Sequence, residues 1–152
     1  MDTTYSVPAT VPIPSRPLYG MLAQFPAVCF TLTLLTDIAF WRSANILWQN
    51  FSAWLLFAGL VFGGVAVVVG IIEMLARRRT RLFRPGWAAI IAYVVVLLLA
   101  IANSFVHAGD GWTAVVPYGL ALSAVTFVVM LLAAWLNRSV VSRRSVGVNH
   151  YA

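Results

Sequence analysis

Apolar positions along the chain gather into four long blocks separated by short polar breaks, roughly Leu22–Trp41, Phe51–Leu75, Trp87–His107 and Ala114–Leu136. An α-helix rises about 1.5 Å per residue, so about 20 apolar residues traverse a hydrocarbon core about 30 Å thick. Each block reaches that length. A water-soluble domain of 152 residues has no interior large enough to hide four such segments. The pattern predicts an all-α fold, an integral membrane four-helix bundle. Residues 1–18 form an N-terminal tail, 19–137 the transmembrane domain and 138–152 a C-terminal tail.

Composition agrees, with 62% hydrophobic and 9% charged residues and a mean hydropathy of +0.91. The first twenty residues are polar and punctuated by Pro8, Pro12, Pro14 and Pro17, without the basic-then-apolar order of a secretory signal. The first helix therefore reads as a retained signal anchor. A net charge of +6 would suit nucleic acid, but the arginines flank the apolar blocks instead of forming one basic face, so no nucleic-acid partner is expected.

That flanking charge predicts orientation. Four crossings place both tails and the segment 77–86 on one side, together with Arg16, Arg77, Arg78, Arg79, Arg81, Arg84, Arg138, Arg143 and Arg144; Arg42 alone lies opposite. Positive residues concentrate on the cytoplasmic side, so both termini are expected in the cytoplasm of a bacterial cell, the protein being multi-pass in its inner membrane. Trp41, Trp48, Trp87, Trp112 and Trp135 fall near the block ends, where amphipathic rings favour the headgroup region. The run Arg77–Arg84 is expected to contact anionic lipid, with docking of a protein partner as the alternative.

Within the second block, Gly59, Gly63, Ala66 and Gly70 recur at spacings of four, three and four and share one helical face. Small residues let membrane helices approach closely, and the expected partner is another helix of the same bundle, with another subunit as the alternative. Cys29 has no second cysteine to pair with and is expected to pack as a small apolar group. Pro26 is expected in the first turn of its helix, and Pro117 near the start of the fourth, where a missing N–H is tolerated.

Ionisable groups inside lipid are costly and mark candidate sites. Asp37 lies near the outer end of the first helix; Asn103 and His107 lie one turn apart near the outer end of the third, with Asp110 just beyond. These four residues are expected to converge at the extracytoplasmic mouth as a polar site, whether proton relay, metal site or quinone contact. The competing expectation turns Asp37 toward Arg42, the interface or a neighbouring helix, and leaves His107 among the headgroups. Glu73, four residues before Arg77, reads as half of an interfacial ion pair. The two histidines, His107 and His150, lie at opposite ends, so a bis-histidine haem within one chain is not expected. No nucleophile–base pair, phosphate loop or zinc motif is present.

Several stretches resemble a bacterial family of small four-helix membrane proteins, domain of unknown function 2231. They are Pro17-Leu18-Tyr19-Gly20-Met21-Leu22-Ala23-Gln24-Phe25-Pro26, the segment from Asn103 through Gly109-Asp110-Gly111 to Thr113, Val115-Val116-Pro117-Tyr118-Gly119, and Arg143-Arg144-Ser145-Val146-Gly147-Val148. The resemblance covers about residues 16–148. It implies histidines at three positions held here by Tyr19, Gln24 and Arg144, so a haem or metal site built on them is lost in this chain. It also implies a place beside membrane redox proteins such as Rieske iron–sulfur domains and quinoprotein dehydrogenases. The expected function is thus a non-catalytic membrane anchor or accessory subunit of a larger, redox assembly, in contact with lipids and other membrane subunits and without a cofactor of its own. The alternative is a redox-active or proton-handling protein with haem b or quinone near Asp37, Asn103 and His107.

Overall fold

The computed structural model describes residues 17–76, 87–109 and 111–146, and the arginine run 77–84, Asp110 and His150 lie outside the described residues. Four α-helices account for nearly all of it: α1 (Pro17–Ser43), α2 (Ile46–Ala76), α3 (Trp87–His107) and α4 (Tyr118–Val146). All four include a stretch long and apolar enough to cross a membrane. Around the bundle α1 packs on α2, α2 on α3, α3 on α4 and α4 back on α1.

Helix ends depart from the apolar blocks, because backbone hydrogen bonds and caps set them rather than hydropathy. The α1–α2 connection shrinks from the polar break between the blocks ending at Trp41 and starting at Phe51 to Ala44 and Asn45. Ala44 takes φ 50, and its N–H donates to the Phe40 carbonyl at 2.7 Å, the left-handed close of a helix. Asn45 then opens α2 by accepting the Leu47 N–H at 3.0 Å. α4 begins after Pro117 instead of at Ala114, behind a 3₁₀ turn at Trp112–Ala114, and continues to Val146, so residues 138–146 of the expected C-terminal tail are helical. α1 starts at Pro17, which puts Pro26 inside the helix rather than in its first turn. There it is buried, and a Cβ on Gly63 of α2 would sit 3.5 Å from its Cγ.

Polarity is distributed inside out. Leu35, Trp54, Phe57, Ile72, Ile91, Leu98, Phe105 and Leu131 stand exposed, while Thr33, Asp37, Ser52, Asn103, His107, Ser123 and Thr126 are buried. Such an exterior suits lipid, where hydrogen bonds and close packing, not hydrophobic exclusion, draw helices together. Buried positions alternate by three and four on every helix: Phe30, Thr33, Asp37 and Phe40 on α1; Gln49, Ser52, Leu56, Gly59, Gly63 and Ala66 on α2; Val96, Ala100, Asn103 and His107 on α3; Gly119, Ser123 and Thr126 on α4. This is the seam spacing of left-handed helix packing. Its apolar part forms one cluster of Phe30, Leu56, Val96 and Ala100.

The glycine stripe of α2 faces inward as far as Ala66, whereas Gly70 is only half-buried. A Cβ on Gly59 would collide with the Phe30 ring and lie 3.1 Å from Cys29 Cβ; one on Gly63 would lie 2.7 Å from Leu97 Cδ2. Gly64, one residue along, has open space around it. Gly59→Ala is therefore expected to destabilise the bundle by about 1–3 kcal/mol through overpacking. Gly64→Ala is expected to be neutral or stabilising by up to about 1 kcal/mol, since it only restrains the helix backbone. Reversible unfolding in mixed micelles checks the contrast.

Candidate functional site

Asp37 lies six residues before the end of α1, about 9 Å below it along the helix axis. Its seam position aims it into the bundle, and none of its surface is exposed. From there it reaches every other helix. Oδ1 accepts a hydrogen bond from Ser52 Oγ of α2 at 2.5 Å and lies 2.9 Å from His107 Nε2 of α3. Oδ2 accepts from Ser123 Oγ of α4 at 2.6 Å. One carboxylate therefore ties α1 to α2, α3 and α4 at a single level.

Surrounding groups extend the cluster. Asn103 Nδ2 donates to Ser123 Oγ at 2.7 Å. The Thr36 and Ser52 hydroxyls are 2.7 Å apart, and Thr36 Oγ1 also lies within donating distance of the Leu32 and Thr33 carbonyls of its own helix, at 3.0 and 2.9 Å. His107 Nδ1 faces the Asn103 carbonyl, one turn back in the same helix, at 3.0 Å. A carbonyl only accepts, so Nδ1 carries a hydrogen. That leaves one proton for the contact between His107 Nε2 and Asp37 Oδ1. On nitrogen it makes an imidazolium–carboxylate pair, and on oxygen two neutral groups. The dyad is neutral overall either way, which is how two ionisable groups persist in a low-dielectric interior.

The cluster is sealed at the end where α1 meets α2. Phe40, Ala114 and Val115 are buried above it, and the Phe40 and Trp112 rings lie 5.5 Å apart. Gln49 Nε2 donates to the Gly109 carbonyl at 3.2 Å, holding the α3–α4 connection down. Gly119 gives the imidazole its room: a Cβ there would meet His107 Cε1 at 2.8 Å and the Ala114 carbonyl oxygen at 2.9 Å. Two buried acceptors, Asn103 Oδ1 and Gln49 Oε1, have no hydrogen-bond partner among the described residues.

Of the residues singled out from sequence, Asp37, Asn103 and His107 are brought together, but within a closed interior and not at an open mouth. Asp37 bonds to the neighbouring helices, one of the alternatives foreseen for it, instead of to Arg42, which is exposed, and His107 lies inside the bundle rather than among headgroups. Asp110 and Arg77, the partner foreseen for Glu73, fall outside the described residues, as do Arg78, Arg79, Arg81 and Arg84. Ser52, Thr36, Gln49 and Ser123 were not anticipated as site residues. A signal existed for Ser52: it stands seven residues before Gly59 on the same α2 stripe.

The donor set does not suit the ligands considered from sequence. Among the described residues no three His, Cys, Asp or Glu side chains gather as metal ligands. Both ring nitrogens of His107 are engaged, so axial ligation of haem would first break the contact to Asp37 or to the Asn103 carbonyl. A quinone carbonyl needs a donor, and the Ser52 and Ser123 hydroxyls both point at Asp37.

Neither a curated protein nor a solved structure matches the chain. A family model described as a predicted membrane protein, DUF2231, matches residues 15–150. That match takes in all four helices, and the chain belongs to this family of predicted membrane proteins.

Proposed function

We propose that this chain is a non-catalytic membrane module, an anchor or accessory subunit of a larger bacterial assembly in the cytoplasmic membrane. The observation that supports it best is the inward use of the Asp37–His107 pair. Asp37 is hydrogen-bonded to three helices and both His107 nitrogens are engaged, which suits a bundle that holds its shape and offers no reactive group to a substrate. The connections are too short to carry a catalytic unit: two residues between α1 and α2, and 108–117 between α3 and α4. The reading places the arginine-rich ends in the cytoplasm by the charge asymmetry. The redox character of the assembly follows from the resemblance described above.

Gentle solubilisation of native membranes tests it, with the chain followed by native mass spectrometry. Co-migration with other membrane subunits is the expected result; migration as a lone monomer would overturn the subunit reading. A Soret band that purifies with the chain and disappears in His107→Ala would replace it with the haem-binding alternative.

A further inference from the structure

We propose that the arginine-rich end of the bundle binds one anionic phospholipid, its acyl chain lying between the helices and its headgroup against the arginines. The observation that carries this is an asymmetry of burial along the four seams. Toward the α1–α2 connection the interior is closed by Phe40, Ala114 and Val115. In the other direction, among the described residues, burial lasts to Pro26 on α1 and Ala66 on α2 but only to Val96 on α3 and Thr126 on α4. Measured along each helix from Asp37, Ser52, Asn103 and Ser123, these limits lie about 16, 21, 10 and 5 Å away. The bundle is thus closed around the polar cluster and opens toward its other end.

Continuing each seam by threes and fours gives Ala23, Gly70, Ala92 and Ala133, one per helix, and all four are half-buried. Side chains this short do not reach the helix opposite. Leu97 and Met130 pack on the Phe30 cluster above them, and the Tyr93 hydroxyl donates to the Gly63 carbonyl at 3.2 Å, which together close the opening at its deep end. From that level α1 runs about 14 Å further, from Pro26 to Pro17, and α3 about 9 Å, from Tyr93 to Trp87. The hydrocarbon of one leaflet is about 15 Å thick, so an acyl chain of that leaflet has the depth and the apolar walls it needs.

Charge selects the headgroup. In the sequence Arg16 directly precedes α1, Arg77, Arg78 and Arg79 directly follow α2, Arg84 falls just before α3, and Arg138 lies in the last part of α4. Against them at this end stand only Asp2 and Glu73. Basic residues clustered at a membrane surface attract anionic lipid, and here they surround the mouth of an apolar opening, which a zwitterionic lipid would enter without that attraction. At the opposite end the interior is sealed and Arg42 is the one arginine.

The test reconstitutes the chain in nanodiscs of equal phosphatidylethanolamine and phosphatidylglycerol, extracts it in mild detergent and reads bound lipid by native mass spectrometry. One phosphatidylglycerol per chain is expected to survive activation that strips the other lipids. Ala133→Trp, which fills the opening and leaves every arginine in place, is expected to abolish that adduct; Gly70→Leu fills it from α2, should Ala133→Trp fail to fold. Replacing Arg77, Arg78 and Arg79 together by Gln is expected to lower the preference for phosphatidylglycerol over phosphatidylethanolamine by at least about tenfold. Lipids shed as a continuous series without preference, or an adduct that survives both filling substitutions, would overturn the proposal in favour of surface contact alone. A lipid-free dimer would overturn it in favour of a second copy closing the opening.

Discussion

Asp37→Ala is expected to lower bundle stability by about 2–4 kcal/mol, the largest single-residue effect in the molecule. The substitution removes three interhelical contacts at once, to Ser52, Ser123 and His107. Interhelical hydrogen bonds in membranes are each worth about 0.6 kcal/mol on average and up to about 1.7, which sets the lower figure. The higher one includes the imidazole left unpaired in a dry interior. Asp37→Asn should cost less, about 1 kcal/mol. Its amide can face a neutral His107 Nε2 as donor while its oxygen accepts from Ser123. Cys29 supplies the probe. It is the single cysteine and is buried beneath α2, so its labelling rate by a thiol reagent follows opening of the bundle. Equal labelling of wild type and Asp37→Ala across a denaturant series would show that the cluster contributes nothing to stability.

Gly119→Ala is the second large effect, expected at about 1–3 kcal/mol. The added methyl meets two obstacles, the Ala114 carbonyl oxygen at 2.9 Å and His107 Cε1 at 2.8 Å. The carbonyl belongs to backbone held in a tight turn, so the imidazole is the part that yields. It can yield only by lengthening its 2.9 Å contact to Asp37. Gly119→Ala and Asp37→Ala should therefore be non-additive, each removing part of what the other removes, with a coupling of about 1 kcal/mol. Strict additivity in the thiol-labelling assay would place the strain elsewhere than on His107.

Much of the site was legible before folding because ionisable groups within apolar blocks are few. Asp37 and His107 stood out by their cost, and Asn103 by its position one turn from His107. Ser52 and Thr36 did not, since hydroxyls occur throughout membrane helices bonded to their own backbone. Thr33 does this here, donating to the Cys29 carbonyl at 2.9 Å. Only the register of α2 against α1 separates Ser52 from such residues. Helix ends were misjudged for a related reason. Apolar blocks mark where lipid is, whereas the break between α1 and α2 follows the hydrogen bonds that Ala44 and Asn45 make to the helix ends beside them.

The chain's own order of residues determined the solvent, the four crossings and the small-residue face of α2, because these depend on length, hydropathy and periodicity within single helices. Tertiary structure alone decided that a carboxylate from α1 meets a hydroxyl from α2, an imidazole from α3 and a hydroxyl from α4 in a closed interior. That meeting depends on the rotation and height of each helix relative to the others. Those are set by side-chain contacts such as Gly59 on Phe30 and Gly119 on His107, between residues far apart along the chain.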